Sequence, residues 1–112
     1  MKTLLPIASL ILALLAAPAF AVEDHHALAV EHTQAAISHG KAGHAPVLVE
    51  HAQEAVKHAQ HCANESKGEA KTHADAAVKP LNSAIDHGKM GHADVATQSA
   101  EEAAQHLDAV KK

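Results

Sequence analysis

The stretch AISHGKAGHA at residues 36–45 returns as AIDHGKMGHA at residues 84–93, an offset of 48 positions. In both copies, two histidines flank a Gly-Lys-x-Gly segment. Glycine is the residue that most often ends a helix, so each copy predicts a turn between two helices. The repeat therefore indicates two helical hairpins, each centred on one copy of the turn.

Outside the turns, the composition is helical. Alanine, glutamate, glutamine and lysine dominate, and no segment alternates apolar and polar residues as a strand does. The segments predicted to be helical are residues 23–39, 45–63, 69–87 and 93–110. Short loops make successive helices antiparallel. The predicted fold is therefore all-α, an antiparallel up-down-up-down four-helix bundle built from two duplicated helical hairpins.

The first residues have the pattern of an export signal. Lys2 precedes an apolar run at residues 4–17, and the segment AFA that follows offers small residues at both positions that determine cleavage. The run is shorter than the roughly 20 apolar residues of a membrane-spanning helix. We predict a signal peptide at 1–21, a His-rich four-helix bundle at 22–112, and no membrane association after cleavage.

The charge of the bundle excludes some partners. Removing Lys2 leaves 8 of the 9 basic residues, all lysine, against 13 acidic residues, so the net charge is −5 with the 12 histidines neutral. Nucleic-acid binding needs a cationic surface and aromatic platforms, and both are missing. The single cysteine, Cys62, cannot form an internal disulfide. We expect metal ions as partners and a monomer, with a Cys62-linked dimer as the alternative.

Histidine recurs every seven residues on both sides of the first turn. Facing residues of an antiparallel hairpin have a constant sum of residue numbers, and a sum of 83 pairs His39 with His44, His32 with His51 and His25 with His58. We call each facing pair a rung, and successive rungs are expected about 10 Å apart along the helices. On helical wheels, both rows fall to the same side of the apolar stripes, so the rungs should line a partly exposed groove.

The second hairpin is expected to keep two rungs, His87 with His92 and His73 with His106. Its middle rung places Pro80 opposite Ser99, so that rung is lost. Proline inside a helix removes one backbone hydrogen bond. We therefore expect the third helix to be kinked or interrupted near Lys79.

These histidines predict metal sites, because neutral imidazole binds copper, nickel, zinc and cobalt. Glu54 lies three residues after His51 and four before His58, so it offers an oxygen ligand on the same flank. The candidate metal ligands are His25, His32, His39, His44, His51, Glu54, His58, His61, His73, His87, His92 and His106. For His26 we favour a hydrogen-bonded surface role. Cys62 is either a buried small apolar residue or a thiol available to a metal or a partner.

Flexible imidazole sites impose little geometry, so intrinsic affinity should decide the metal. Copper(II) heads the divalent series for nitrogen and oxygen ligands, and nickel, zinc and cobalt should follow. A catalytic bundle is not expected, because the chain has neither a Cys-x-x-Cys-His haem motif nor a pair of Glu-x-x-His motifs. The alternative function is an acid- or stress-responsive bundle titrated by its histidines.

The sequence also resembles a known family. Residues 50–59 (EHAQEAVKHA), 85–92 (IDHGKMGH) and 94–97 (DVAT) are similar to the bacterial small metal-binding proteins, which are periplasmic His-rich four-helix bundles. The resemblance covers essentially all of residues 22–112. It implies binding of several divalent metals with copper preferred, and a role in metal storage or tolerance. Pro80 and Ser99 depart from the family's heptad pattern, and Cys62 is an addition to it.

Overall fold

The computed structural model describes residues 23–110, which form four helices. The helices are α1 (His25–Lys41), α2 (Ala45–Glu65), α3 (Gly68–Lys89) and α4 (Ala93–Asp108). The predicted signal peptide at 1–21 lies outside the described residues. Among the helices described, none is both long and apolar enough to cross a membrane.

The helices pack as a closed ring. Each helix contacts the next along the chain, and α1 also packs against α4. Every predicted helix end lies within two residues of the observed one. The predicted all-α, up-down-up-down four-helix bundle of two hairpins is therefore confirmed.

The two turns place the histidines that flank them side by side. Gly43 adopts a left-handed φ of 82°, and the His44 N–H donates to the His39 carbonyl at 2.8 Å. The second turn repeats this geometry, with Gly91 at a φ of 80° and a corresponding hydrogen bond of 2.9 Å. A left-handed residue suits glycine because a side chain is disfavoured there. The repeated sequence thus specifies a repeated turn.

The core is made largely of alanine, so the helices must approach closely to fill it. The largest fully buried side chains are Leu48, Leu81, Leu107 and Thr33. Gly40 lies where α1 crosses α4, and a Cβ atom added there would run into Thr97 Oγ1 and the Leu48 side chain. Close approach at glycine and alanine compensates for the scarcity of large apolar residues.

Pro80 does not interrupt the third helix. α3 runs unbroken from Gly68 to Lys89 with Pro80 inside it, so the expected interruption is wrong. Proline removes one backbone N–H donor from a helix of 22 residues, and the helix continues on both sides of it. The buried ring of Pro80 and the fully buried Leu81 hold this segment against the core. Tertiary packing therefore outweighs the local cost of proline.

The close crossing of α1 and α4 gives a test of the fold. We expect Gly40→Ala to lower the melting temperature, because overpacking costs about 1–3 kcal/mol while the gain in helix propensity is at most about 1 kcal/mol. Thermal unfolding followed by circular dichroism measures this difference. Ser38→Ala, at an exposed position of the same helix, is the control and should change stability by less than about 0.5 kcal/mol. A Gly40→Ala chain as stable as the wild type would show that glycine does not set this crossing.

Candidate metal centre

The structure brings together every histidine pair that the constant sums predicted. The centroids of the paired rings lie 5.2 Å apart for His25–His58, 5.4 Å for His32–His51, 5.9 Å for His39–His44, 6.0 Å for His73–His106 and 6.2 Å for His87–His92. Most of these rings are half-buried, whereas His44 and His92 at the turns are exposed. The pairs therefore lie at the edge of the core, where solvent reaches them.

The rungs of the first hairpin are not separate layers. His32 stacks on His58 of the next rung at 5.8 Å and 4°, and His39 stacks on His51 at 5.5 Å and 6°. His61 stacks on His25 at 4.5 Å. Seven rings thus form one continuous zigzag, the imidazole column, in the order His44, His39, His51, His32, His58, His25, His61.

The direction of helical side chains explains these contacts between rungs. Long side chains on a helix lean toward its N-terminus. In an antiparallel hairpin the two rows therefore lean in opposite directions, and the rings of one rung separate along the axis. His32 moves toward the level of His58, as His51 moves toward that of His39. The expectation of rungs isolated by about 10 Å considered only the backbone rise, and missed this displacement.

Two rungs are joined by a hydrogen bond between ring nitrogens. The Nδ1 atoms of His25 and His58 lie 3.0 Å apart, and those of His32 and His51 lie 3.2 Å apart. A neutral imidazole has one N–H and one lone pair, so one ring of each pair donates and the other accepts. A metal ion that replaces the shared proton would meet two nitrogen ligands already in place.

A carboxylate joins the middle of the column. Ligand atoms of His32, Glu54 and His58 all lie within 4.8 Å of one another. Lys57 donates a hydrogen bond of 3.1 Å to Glu54 Oε2, and this bond and the ammonium charge lower the pKa of the Glu54 carboxyl group. Glu54 is therefore ionised at neutral pH. Two imidazoles and a carboxylate form a donor set suited to copper(II) or zinc.

The central histidine is held in the form that binds metal. Burial lowers the pKa of His58 from its ordinary value of 6.5, and the neighbouring rings of His25 and His32 lower it further when they are charged. A lowered imidazole pKa means a free lone pair at neutral pH. A metal ion that binds His58 at neutral pH would therefore have few protons to displace from this ring.

A second carboxylate lies beside the column, at the ring next to its His61 end, and it was not among the predicted ligands. Glu23 Oε1 lies 3.6 Å from His25 Nε2. Glu23 lies two residues before His25, a spacing that does not bring side chains together on a helix, so the predicted helix did not indicate this contact. His61, one of the candidate ligands, extends the column through His25.

The second hairpin holds two separate pairs. Between them, Pro80 is buried, and the Ser99 hydroxyl lies 3.2 Å from the Ser83 hydroxyl. Serine and proline replace the middle imidazoles, so stacking cannot pass from the His73–His106 pair to the His87–His92 pair. The second hairpin therefore has one histidine pair toward each end and no continuous column of rings.

His26 and Cys62 stabilise the fold and lie outside the imidazole column. The His26 Nε2–H donates to the Leu107 carbonyl at 2.8 Å, which satisfies a backbone oxygen in the last turn of α4. Cys62 is 5% exposed and packs against Ala74 and Val110. Its side chain therefore belongs to the core, as expected for the small apolar alternative, while His58 and His61 lie on the solvent side.

Comparison with known proteins agrees with this geometry. The family model described as small metal-binding protein matches residues 1–110. No curated protein matches the chain. The match spans both hairpins and therefore every candidate ligand. The chain belongs to the small metal-binding protein family.

Proposed function

We propose that this protein binds and buffers divalent transition metals in the periplasm, with copper(II) preferred and nickel, zinc and cobalt also accepted. The observation that carries the proposal is the imidazole column with Glu54 at its centre. Helix formation does not require the seven rings to touch. Two of the ring pairs hold their Nδ1 atoms within 3.2 Å of each other, and His32, Glu54 and His58 hold ligand atoms close enough to share one ion. The proposed role is binding and not catalysis.

The preference for copper(II) follows from the openness of the site. The column lies on half-buried flanks of α1 and α2, and its two ends at His44 and His61 are exposed. Side chains in such positions can adjust to several coordination geometries. Without geometric selection, affinity follows the intrinsic series in which copper(II) exceeds nickel, zinc and cobalt. Access to solvent also allows ions to exchange, as a buffer requires.

The proposed compartment and assembly rest on separate observations. The periplasm is proposed from the signal peptide pattern at residues 1–21 and from the family resemblance. We propose a monomer, because Cys62 is buried in a cluster with Ala63, Ala74 and Val110. A buried thiol cannot reach a second chain unless the end of the bundle opens.

The alternative function is a response to acid, and the stacked rings support it. Protonation of neighbouring imidazoles would place like charges in contact along the column. The lowered pKa of His58 has this repulsion among its causes. Metal binding and acid sensitivity use the same rings, so separate measurements have to distinguish them.

The central histidine, His58, gives a direct test of the column. His58→Gln should weaken the tightest copper(II) site by roughly tenfold or more, because it removes a ring that contacts both His25 and His32. Isothermal titration with copper(II) measures the effect, and repetition with equimolar zinc present should leave copper bound to the wild type. His26→Gln is the control, because His26 bonds to a backbone carbonyl outside the column. Equal losses in the two variants would contradict the column as the binding site.

The interrupted middle of the second hairpin gives another prediction. Pro80→His combined with Ser99→His should raise the copper stoichiometry, because it supplies both rings of the missing rung. Each single substitution should add less, since one imidazole without its partner is a weak ligand. The measurement is the copper content after equilibrium dialysis, compared among the wild type, both single variants and the double variant. A double variant that holds no more copper than the wild type would show that facing pairs are not the binding unit.

The lowered pKa of His58 predicts the direction of the pH dependence. Between its folded pKa and 6.5 the unfolded chain binds more protons at this residue than the folded chain. The contribution of His58 to stability is therefore present above pH 6.5 and is lost as the pH falls through the folded pKa. Proton NMR of the metal-free protein should show the His58 ring titrating below 6.5, and the assignment is checked with His58→Gln. A His58 midpoint above 6.5 would refute both this direction and the burial that causes it.

A further inference from the structure

The two turns have almost the same backbone but differ in one exposed side chain. The residue that follows the helix is Ala42 in the first turn, at φ −83° and ψ −1°, and Met90 in the second, at φ −87° and ψ 1°. Met90 is 58% exposed, the most exposed large apolar side chain among residues 23–110. Packing does not account for a methionine at this position. Its thioether is the chemical feature that the first turn lacks.

Met90 is close in sequence to a pair of imidazoles. It follows His87 by three residues at the end of α3, a spacing that makes side chains neighbours. The His87 and His92 rings are in contact, with centroids 6.2 Å apart. Methionine is unbranched and has three rotatable side-chain bonds, so its sulfur can reach a group held by the neighbouring rings.

The histidine pair itself has an unpaired nitrogen. His87 Nδ1 is buried and has no hydrogen-bond partner, unlike the Nδ1 atoms that face each other in the rungs His25–His58 and His32–His51. A buried nitrogen without a partner costs about 1–3 kcal/mol. A cation held by the His87 ring would supply the missing partner.

We propose that His87, Met90 and His92 form a site for copper(I). The inference rests on the proposed metal-binding function and adds to it a sulfur ligand and an oxidation state. Thioether sulfur is a soft donor that selects copper(I), whereas copper(II) and zinc favour nitrogen and oxygen donors. The centre of the column adds a carboxylate to its imidazoles, and the second turn adds a thioether. The two hairpins therefore suit different oxidation states of one metal.

Silver(I) is a suitable first probe, because it is soft, monovalent and not oxidised in air. In the full chain labelled at methionine methyl groups, silver(I) should shift the Met90 methyl resonance through a bond to sulfur, and zinc, which the neighbouring imidazoles would also accept, should shift it less. Met90→Leu identifies that resonance by its loss. It should also lower silver(I) affinity by about tenfold or more, with copper(II) affinity unchanged. Leucine keeps the apolar volume at an exposed position, so the fold is preserved.

The first turn supplies the reciprocal test. Ala42→Met places a thioether beside His39 and His44 on an equivalent backbone, and should raise silver(I) affinity by about tenfold. Copper(I), supplied without oxygen in competition with a coloured chelator, should follow silver(I) in all variants. Cys62→Ala is measured in parallel, because a thiol is the other soft ligand among the described residues.

Two results would overturn the copper(I) site. One is an unmoved Met90 methyl resonance at saturating silver(I). The other is silver(I) affinity that Met90→Leu leaves intact and Cys62→Ala removes. Failure of the proposed divalent buffering has a different signature, which is wild-type protein that takes up no copper(II) while the Met90 resonance still responds to silver(I).

Discussion

Side chains on an α-helix lean toward its N-terminus, and the imidazole column depends on this constraint. In a pair of parallel helices, facing histidines would lean the same way and stay at the same height along the axis. Successive histidine pairs would then remain separate. In the antiparallel hairpin of α1 and α2 the opposite leans bring each ring to the neighbouring rung, as His32 does with His58. Histidines at heptad spacing form only a polar row on one helix, but in this hairpin they become a connected set of imidazoles.

The alanine core also brings the imidazole rings into contact. An imidazole is short, so facing rings meet only if the two helix axes are close. Leucine is fully buried at three positions, Leu48, Leu81 and Leu107, and alanine fills most of the remaining core. Gly40 and Gly88 allow still closer approach near the turns. A core of larger residues would have been more stable but would have moved the rings beyond contact.

Much of this arrangement was predictable from the sequence. The duplicated turn indicated the fold, and the constant sums of residue numbers identified the histidine pairs. The contacts between rungs were missed, because residue numbers give heights along a helix and not the lean of side chains. The interruption expected at Pro80 was wrong for a different reason. Helix propensity is local, whereas the burial of Pro80 and Leu81 depends on the other helices.

Sharing of rings along the column has a consequence for its response to metal. A neutral imidazole offers one lone pair, yet His32 touches both His51 and His58. An ion that captures His32 with one neighbour therefore takes a ligand from the other. Under the proposed function, adjacent ions would bind anticooperatively, and saturation would extend over a wide range of free metal concentration. Such a broad isotherm would let the protein take up and release metal over a wider range of free concentration than identical independent sites, with a smaller capacity at any one concentration.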